Sequence, residues 1–163
     1  MKSGTKTTYI AIVVGVIIVT LSMFFIYSSD QARLRGFNFG NELQTIQDEL
    51  KRVQTEFYSK KTMLDEKTIS KDEFLAFSEN HFQKMRQIFL RYDDLLPPDS
   101  FASSVKLFKS STQKQIESDE FLIEWIRTND TASKVRSDLL LQESFEDEMA
   151  ALASFTKAKN SAG

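Results

Sequence analysis

The chain has no cysteine, a single histidine, two prolines and five glycines in 163 residues. Each shortage excludes something. Without cysteine there can be no disulfide, zinc knuckle, iron–sulfur cluster or thiol nucleophile. The lack leaves the compartment open, because a stable helical domain needs no disulfide even outside the cell. With His81 alone, no Ser/His/Asp set stands out. A carboxylate-bridged di-iron centre, which needs two Glu-x-x-His pairs, is excluded too. Ser78, not glutamate, stands three residues before His81. So few glycines and prolines do not suit a turn-rich β fold, and neither a Walker loop nor a Gly-x-Gly-x-x-Gly run is present. Basic residues number 21 against 23 acidic, so there is no cationic surplus to draw nucleic acid.

What the chain does have begins with an uncharged stretch between Lys6 and Asp30, nearly all Ile, Val, Leu, Met and Phe from Ile10 to Tyr27. Eighteen helical residues span roughly 27 Å, close to a hydrocarbon core of about 30 Å. Tyr9 and Tyr27 stand at its ends, where amphipathic rings favour the interface. The run is longer than the apolar core of a cleaved signal peptide and lacks a paired small-residue exit. Residues 9–29 are therefore expected to be an uncleaved transmembrane anchor, preceded by a short tail (1–8). Lys2, Lys6 and the terminal amine face Arg33 and Arg35 across it, and the expected orientation is N-terminus cytoplasmic, remainder extracytoplasmic. That remainder carries 19 basic and 23 acidic residues, a net charge of −4.

Gly36 and Gly40 suggest a flexible or kinked neck over 30–41. Beyond it, Leu43, Ile46, Leu50, Val53 and Phe57 alternate spacings of three and four, one face of a helix. Glu42, Glu49 and Glu56 flank this seam with Gln47 and Gln54. Identical copies would bring no opposite charges together, so a homo-oligomer is not favoured. Ser70 and Glu73 form a capping box, with Ile69 and Phe74 as its staple. The second helix carries a broad apolar face from Phe74 to Leu96 and stops at Pro97-Pro98. A third runs from about Asp99 to Thr128, with Phe101, Val105, Phe108, Ile116, Ile123 and Ile126 inward. Asn129-Asp130 is a turn and cap. The fourth is expected to point Val135, Leu139, Phe145, Met149 and Leu152 inward, as far as about Lys157. Short connections make neighbours antiparallel. The expected fold is thus all-α: a single N-terminal transmembrane helix, then an up-down antiparallel four-helix bundle over 42–158, with 159–163 fraying.

Candidate sites are few. Glu143, Glu146, Asp147 and Glu148 are helical and lack the turning loop of a calcium site, so a solvated face is expected. Asp119 and Asp138 fall on inward stripes but are expected at seam edges, reaching water. Asn129-Asp130-Thr131 is a glycosylation sequon at a surface turn. Folding the helices antiparallel brings Ser78 and His81 level with Thr112 and Gln115, and these with Gln142. The expectation is one polar layer across the bundle, more naturally a register-fixing network than a ligand site. No catalytic residue, metal or cofactor is expected.

The order of anchor and bundle is similar to chemoreceptor-like sensors. Those return through a second transmembrane helix, and no second apolar run occurs up to Gly163. Only a small-ligand module acting in trans would fit that resemblance. Pilin-like subunits share the apolar N-terminal helix, but their processing signal is missing. The expectation is a non-enzymatic, single-pass accessory or interaction subunit of a larger membrane complex. It would contact the bilayer through residues 9–29 and protein partners through the bundle. The sensor-like module is the alternative.

Overall fold

The computed structural model describes residues 32–161, with side chains from Asn38 onward. They form α1 (Ala32–Asp65), α2 (Lys71–Asp94), a 3-10 turn (Asp99–Phe101), α3 (Ala102–Thr128) and α4 (Thr131–Ser161). Cross-helix bonds show successive helices running antiparallel: Gln47 meets Tyr92 and Glu56 meets Lys84, His81 meets Asp119 and Tyr92 meets Thr112, and Ser118 meets Ser137 and Ser110 meets Asp147. The described residues are a four-helix bundle. The expected anchor, with Tyr9 and Tyr27, lies outside them. Among the described residues no helix is long and apolar enough to cross a membrane.

Local chemistry sets the helix ends. The Ser70 hydroxyl accepts the Glu73 N–H, and the Glu73 carboxylate accepts the Ser70 N–H at 2.7 Å. Ile69 and Phe74 both pack in the core beside this box, so the staple fixes how the chain enters α2. These bonds hold the Glu73 carboxyl below its ordinary range, the Ser70 N–H contributing most. Leu95 is already extended, so α2 ends ahead of Leu96, the residue that Pro97 keeps out of the α region. Asn129 ends α3 in the left-handed region, φ 59°, which asparagine tolerates. Asp130 then caps α4, accepting from the backbone of Ala132 and Ser133.

The core has two parts. The larger gathers Phe39, Leu43, Ile46, Leu50 and Val53 of α1 with Met85, Ile88, Phe101, Val105, Phe108 and Ile116. The smaller gathers Phe57, Phe74, Leu122 and Ile123 at the other end. The expected inward heptad of α1 is fully buried. Each of its large side chains stabilises by about 1.5–3 kcal/mol relative to exposure.

Three expectations need correction. The neck is helical: α1 begins at Ala32 and passes through Gly36 and Gly40. Around Gly40, burial of Phe39 and Leu43 outweighs the roughly 1 kcal/mol that a helical glycine costs. Asp119 does not reach water; it is completely buried. The inward face of α4 is also different. Val135, Leu139 and Met149 are exposed, while Ser133, Ser137, Leu140, Ser144, Glu148, Ala151 and Ala158 are buried. The cause lies in α3, where Ser104, Ser111 and Ser118 recur every seven residues and are buried. Small residues on both helices let the backbones close together. Ser118 donates its hydroxyl to the Ser137 carbonyl at 2.8 Å. Large side chains at that seam would force the helices apart.

Candidate functional site

The interior holds two polar layers, and both hang on α1. Gln47 and Gln54 are seven residues apart and buried, so they point the same way two turns apart, about 10 Å along the axis.

In the first layer the Gln47 amide donates to the Tyr92 hydroxyl at 2.7 Å. Tyr92 shares a 3.1 Å bond with Thr112, whose hydroxyl also donates to the Phe108 carbonyl. Burial pushes the Tyr92 phenol well up, so it stays neutral.

The second layer centres on Asp119. Its Oδ2 accepts from His81 Nε2 at 2.8 Å and from Gln54 Nε2 at 3.0 Å. Its Oδ1 accepts from the Tyr58 hydroxyl at 3.3 Å. Against a carboxylate the imidazole nitrogen is the donor. The His81 ring stacks on Phe57, 4.1 Å between centroids, and its Nδ1 has no hydrogen-bond partner. Asp119 also orients the Gln54 amide, because the reverse orientation would set oxygen against carboxylate. Gln54 Nε2 reaches Gln115 Oε1 at 3.4 Å as well, which leaves Gln54 Oε1 unpaired. Burial, then the Asp119 charge, drive the Tyr58 phenol well above its ordinary range.

A cavity of about 20 Å³ lies beside this layer, lined by Gln54, Tyr58, Gln115, Leu141, Ser144, Phe145 and Glu148. One water needs about 10–15 Å³, whereas small-molecule sites run to roughly 300–1,000 Å³. Glu148 is only 4% exposed. Burial alone pushes its carboxyl up to about 7.

The expected site residues separate on inspection. His81 and Gln115 share the Asp119 layer, and Thr112 belongs to the Tyr92 layer. Ser78 is buried but donates to its own helix, at the Phe74 carbonyl. Gln142 is exposed and bonds Glu146 one turn on, at 3.0 Å. One expected layer is therefore two. The extended Leu95–Pro98 segment and the 3-10 turn carry His81 level with residue 119 rather than 114. Gln47, Gln54, Tyr58, Asp119 and Glu148 were not anticipated. The signal for the glutamines was their seven-residue spacing beside the α1 seam. For Asp119 it was its place on the same stripe as Thr112, Ile116 and Ile123.

The acidic run on α4 divides into separate environments. Glu143 and Asp147 both pair with Lys114, at 3.7 and 2.9 Å. Burial raises the Asp147 carboxyl, but bonds from Ser110 and Lys114 outweigh it and bring it down. Glu146 faces water and Glu148 faces inward. Asp138 lies outside and pairs with Lys134. Among the described residues no three His, Asp or Glu side chains converge as metal ligands would. Asn129 is exposed, so its sequon is accessible. The Asp119–His81 pair has a catalytic outline, but its outer nitrogen is buried without a hydrogen-bond partner and so meets no nucleophile; it can hold helices in register. No protein family matches the chain, and no curated protein or solved structure is detectably similar to it.

Proposed function

We infer that the chain is a non-enzymatic accessory or interaction subunit, held at a membrane by residues 9–29 and presenting its helical bundle to a protein partner. The N-terminus would be cytoplasmic and the bundle extracytoplasmic. The observation that carries this reading is how the interior polar groups are used. Gln47, Gln54, Tyr58, His81, Tyr92, Thr112, Gln115 and Asp119 bond chiefly to one another. The cavity beside them has room for one water. Such a network specifies which helix faces meet and at what height; it leaves little for a substrate. The same cavity weighs against the sensor-like alternative at this layer, because it has room for little more than a water.

The test is protease protection on intact cells with a C-terminal tag, then native mass measurement from mild detergent. Cleavage of the tag from outside and a mass well above one chain are expected. A protected tag would overturn the orientation, and a single-chain mass would overturn the subunit reading.

A further inference from the structure

The last helix is buried along one side and carries apolar side chains on the opposite, exposed side. Its inward side is the small-residue seam with α3. At 100° per residue, positions 135, 139, 142, 146 and 149 fall on the opposite line. Val135 is 63% exposed, and Leu139 and Met149 are each 44% exposed. Exposed alanines extend the line at both ends, at 132 and at 150 and 153. Spacings of four and three make this a helix-docking seam of about six turns. Only its middle is polar: the Gln142 amide donates to Glu146 at 3.0 Å. The neighbouring acids Glu143 and Asp147 share the single cation of Lys114. Glu146 has no cation among the ion pairs of the described residues.

We propose that this outer face of α4 docks a helix from a different chain, apolar at its ends and carrying a lysine or arginine at its middle, opposite Glu146. Charge complementarity decides between occupants. A second copy packed in parallel would set Glu146 against Glu146 and Gln142 against Gln142. An antiparallel copy would pair them favourably, but the two chains would then point opposite ways. Phe39, Phe101 and Phe155 meet at one end of the bundle, 5.6 and 4.8 Å between ring centroids. The end of α4 thus lies beside the start of α1. Two anchors in one membrane cannot be satisfied by antiparallel α4 helices. This step rests on the anchored reading above; the requirement for a cation opposite Glu146 does not.

The test places a photo-crosslinking amino acid, one variant at a time, at Leu139, Gln142 and Met149. Controls carry it at Gln83 and Gln87, on the exposed side of α2. The full chain is irradiated in its native membranes. Cross-links from the three α4 positions to a chain of another mass are expected, and none from α2. The cross-linked peptide should be helical in pattern, with Lys or Arg within one turn of the attachment point. Glu146→Lys should cut the yield at least tenfold, and Glu146→Gln less. A product of twice the chain's mass would replace the proposal with self-association. Attachment through α2, or a partner peptide without a cation, would overturn it while leaving the subunit reading intact. A protein that runs as one chain and cross-links to nothing would overturn both.

Discussion

Glu148→Gln should stabilise the protein at neutral and alkaline pH and leave it almost unchanged in acid. The Glu148 carboxyl is raised from 4.5 to about 7 by burial alone. The folded state therefore holds this proton more tightly than the unfolded chain does. Below pH 4.5 both states are protonated and the group has no effect. Between 4.5 and 7 the unfolded chain ionises and the folded one does not, so stability falls as pH rises. Above 7 the cost is complete. A difference of about 2.5 units at 1.36 kcal/mol each is about 3 kcal/mol. At 4% exposure, solvent does little to screen it. For a bundle of this size that is roughly 10 °C in Tm. Glutamine keeps the shape and cannot ionise. The assay is denaturant unfolding of both full chains in mild detergent at pH 4.5, 6, 7 and 8. The difference between them should grow from near zero to about 3 kcal/mol and then level off. Parallel curves across the whole range would refute the reasoning, since an ionised Glu148 would then be solvated or paired. Asp130 and Asp147 act in the opposite sense, both being lowered, but they are common to both proteins and cancel.

Asp119→Ala should cost about 3–5 kcal/mol, because it leaves buried donors on His81 and Gln54 without their acceptor. The pair His81→Leu with Asp119→Leu should recover the His81 share of that in the same unfolding assay but not the share owed to Gln54 and Tyr58, which still lack their acceptor; no recovery at all would mean the pair contributes more than register. Ser70→Ala removes half the capping box and should cost about 1 kcal/mol; an unchanged midpoint would show α2 to be held by packing alone.

How far the sequence revealed these features follows from which forces act locally. The α1 seam was legible because Leu43 to Phe57 repeat without interruption, and large apolar residues at a helical period have one low-energy destination. The Ser70 box was legible because all its atoms lie within four residues. The heights at which helices meet were not. They depend on how many residues the Pro97-Pro98 connection uses in extended backbone, and five residues of slippage separate an expected neighbour of His81 from Asp119. The burial of Asp119 was hidden for the same reason. A carboxylate on an inward stripe is credible only if donors from other helices arrive at its level, and two of those donors, Gln54 and Tyr58, come from the helix farthest away in sequence.

The fourth helix shows where size misleads. Reading its bulky residues as the core treats burial as a property of each side chain, when it belongs to the distance between two axes. Ser118 meets Ser137 across the seam, with Ser104 and Ser111 on the same stripe of α3 and Ser144 and Ala151 on that of α4, and these small residues leave Val135, Leu139 and Met149 outward. The ordinary pattern of mutational sensitivity should therefore invert. Ser144→Leu, apolar and on the buried side, should cost about 1–3 kcal/mol through overpacking, whereas Ser144→Ala should cost little. Leu139→Ser, a loss of hydrophobic bulk, should stay within about 0.5 kcal/mol of the parent, as surface changes do. If Leu139→Ser instead destabilised the isolated protein by as much as Ser144→Leu, the outer face would be part of the fold. If it left stability alone and removed the high-mass complex, α4 would be a helix with two interfaces, one filled by its own chain and one reserved for another.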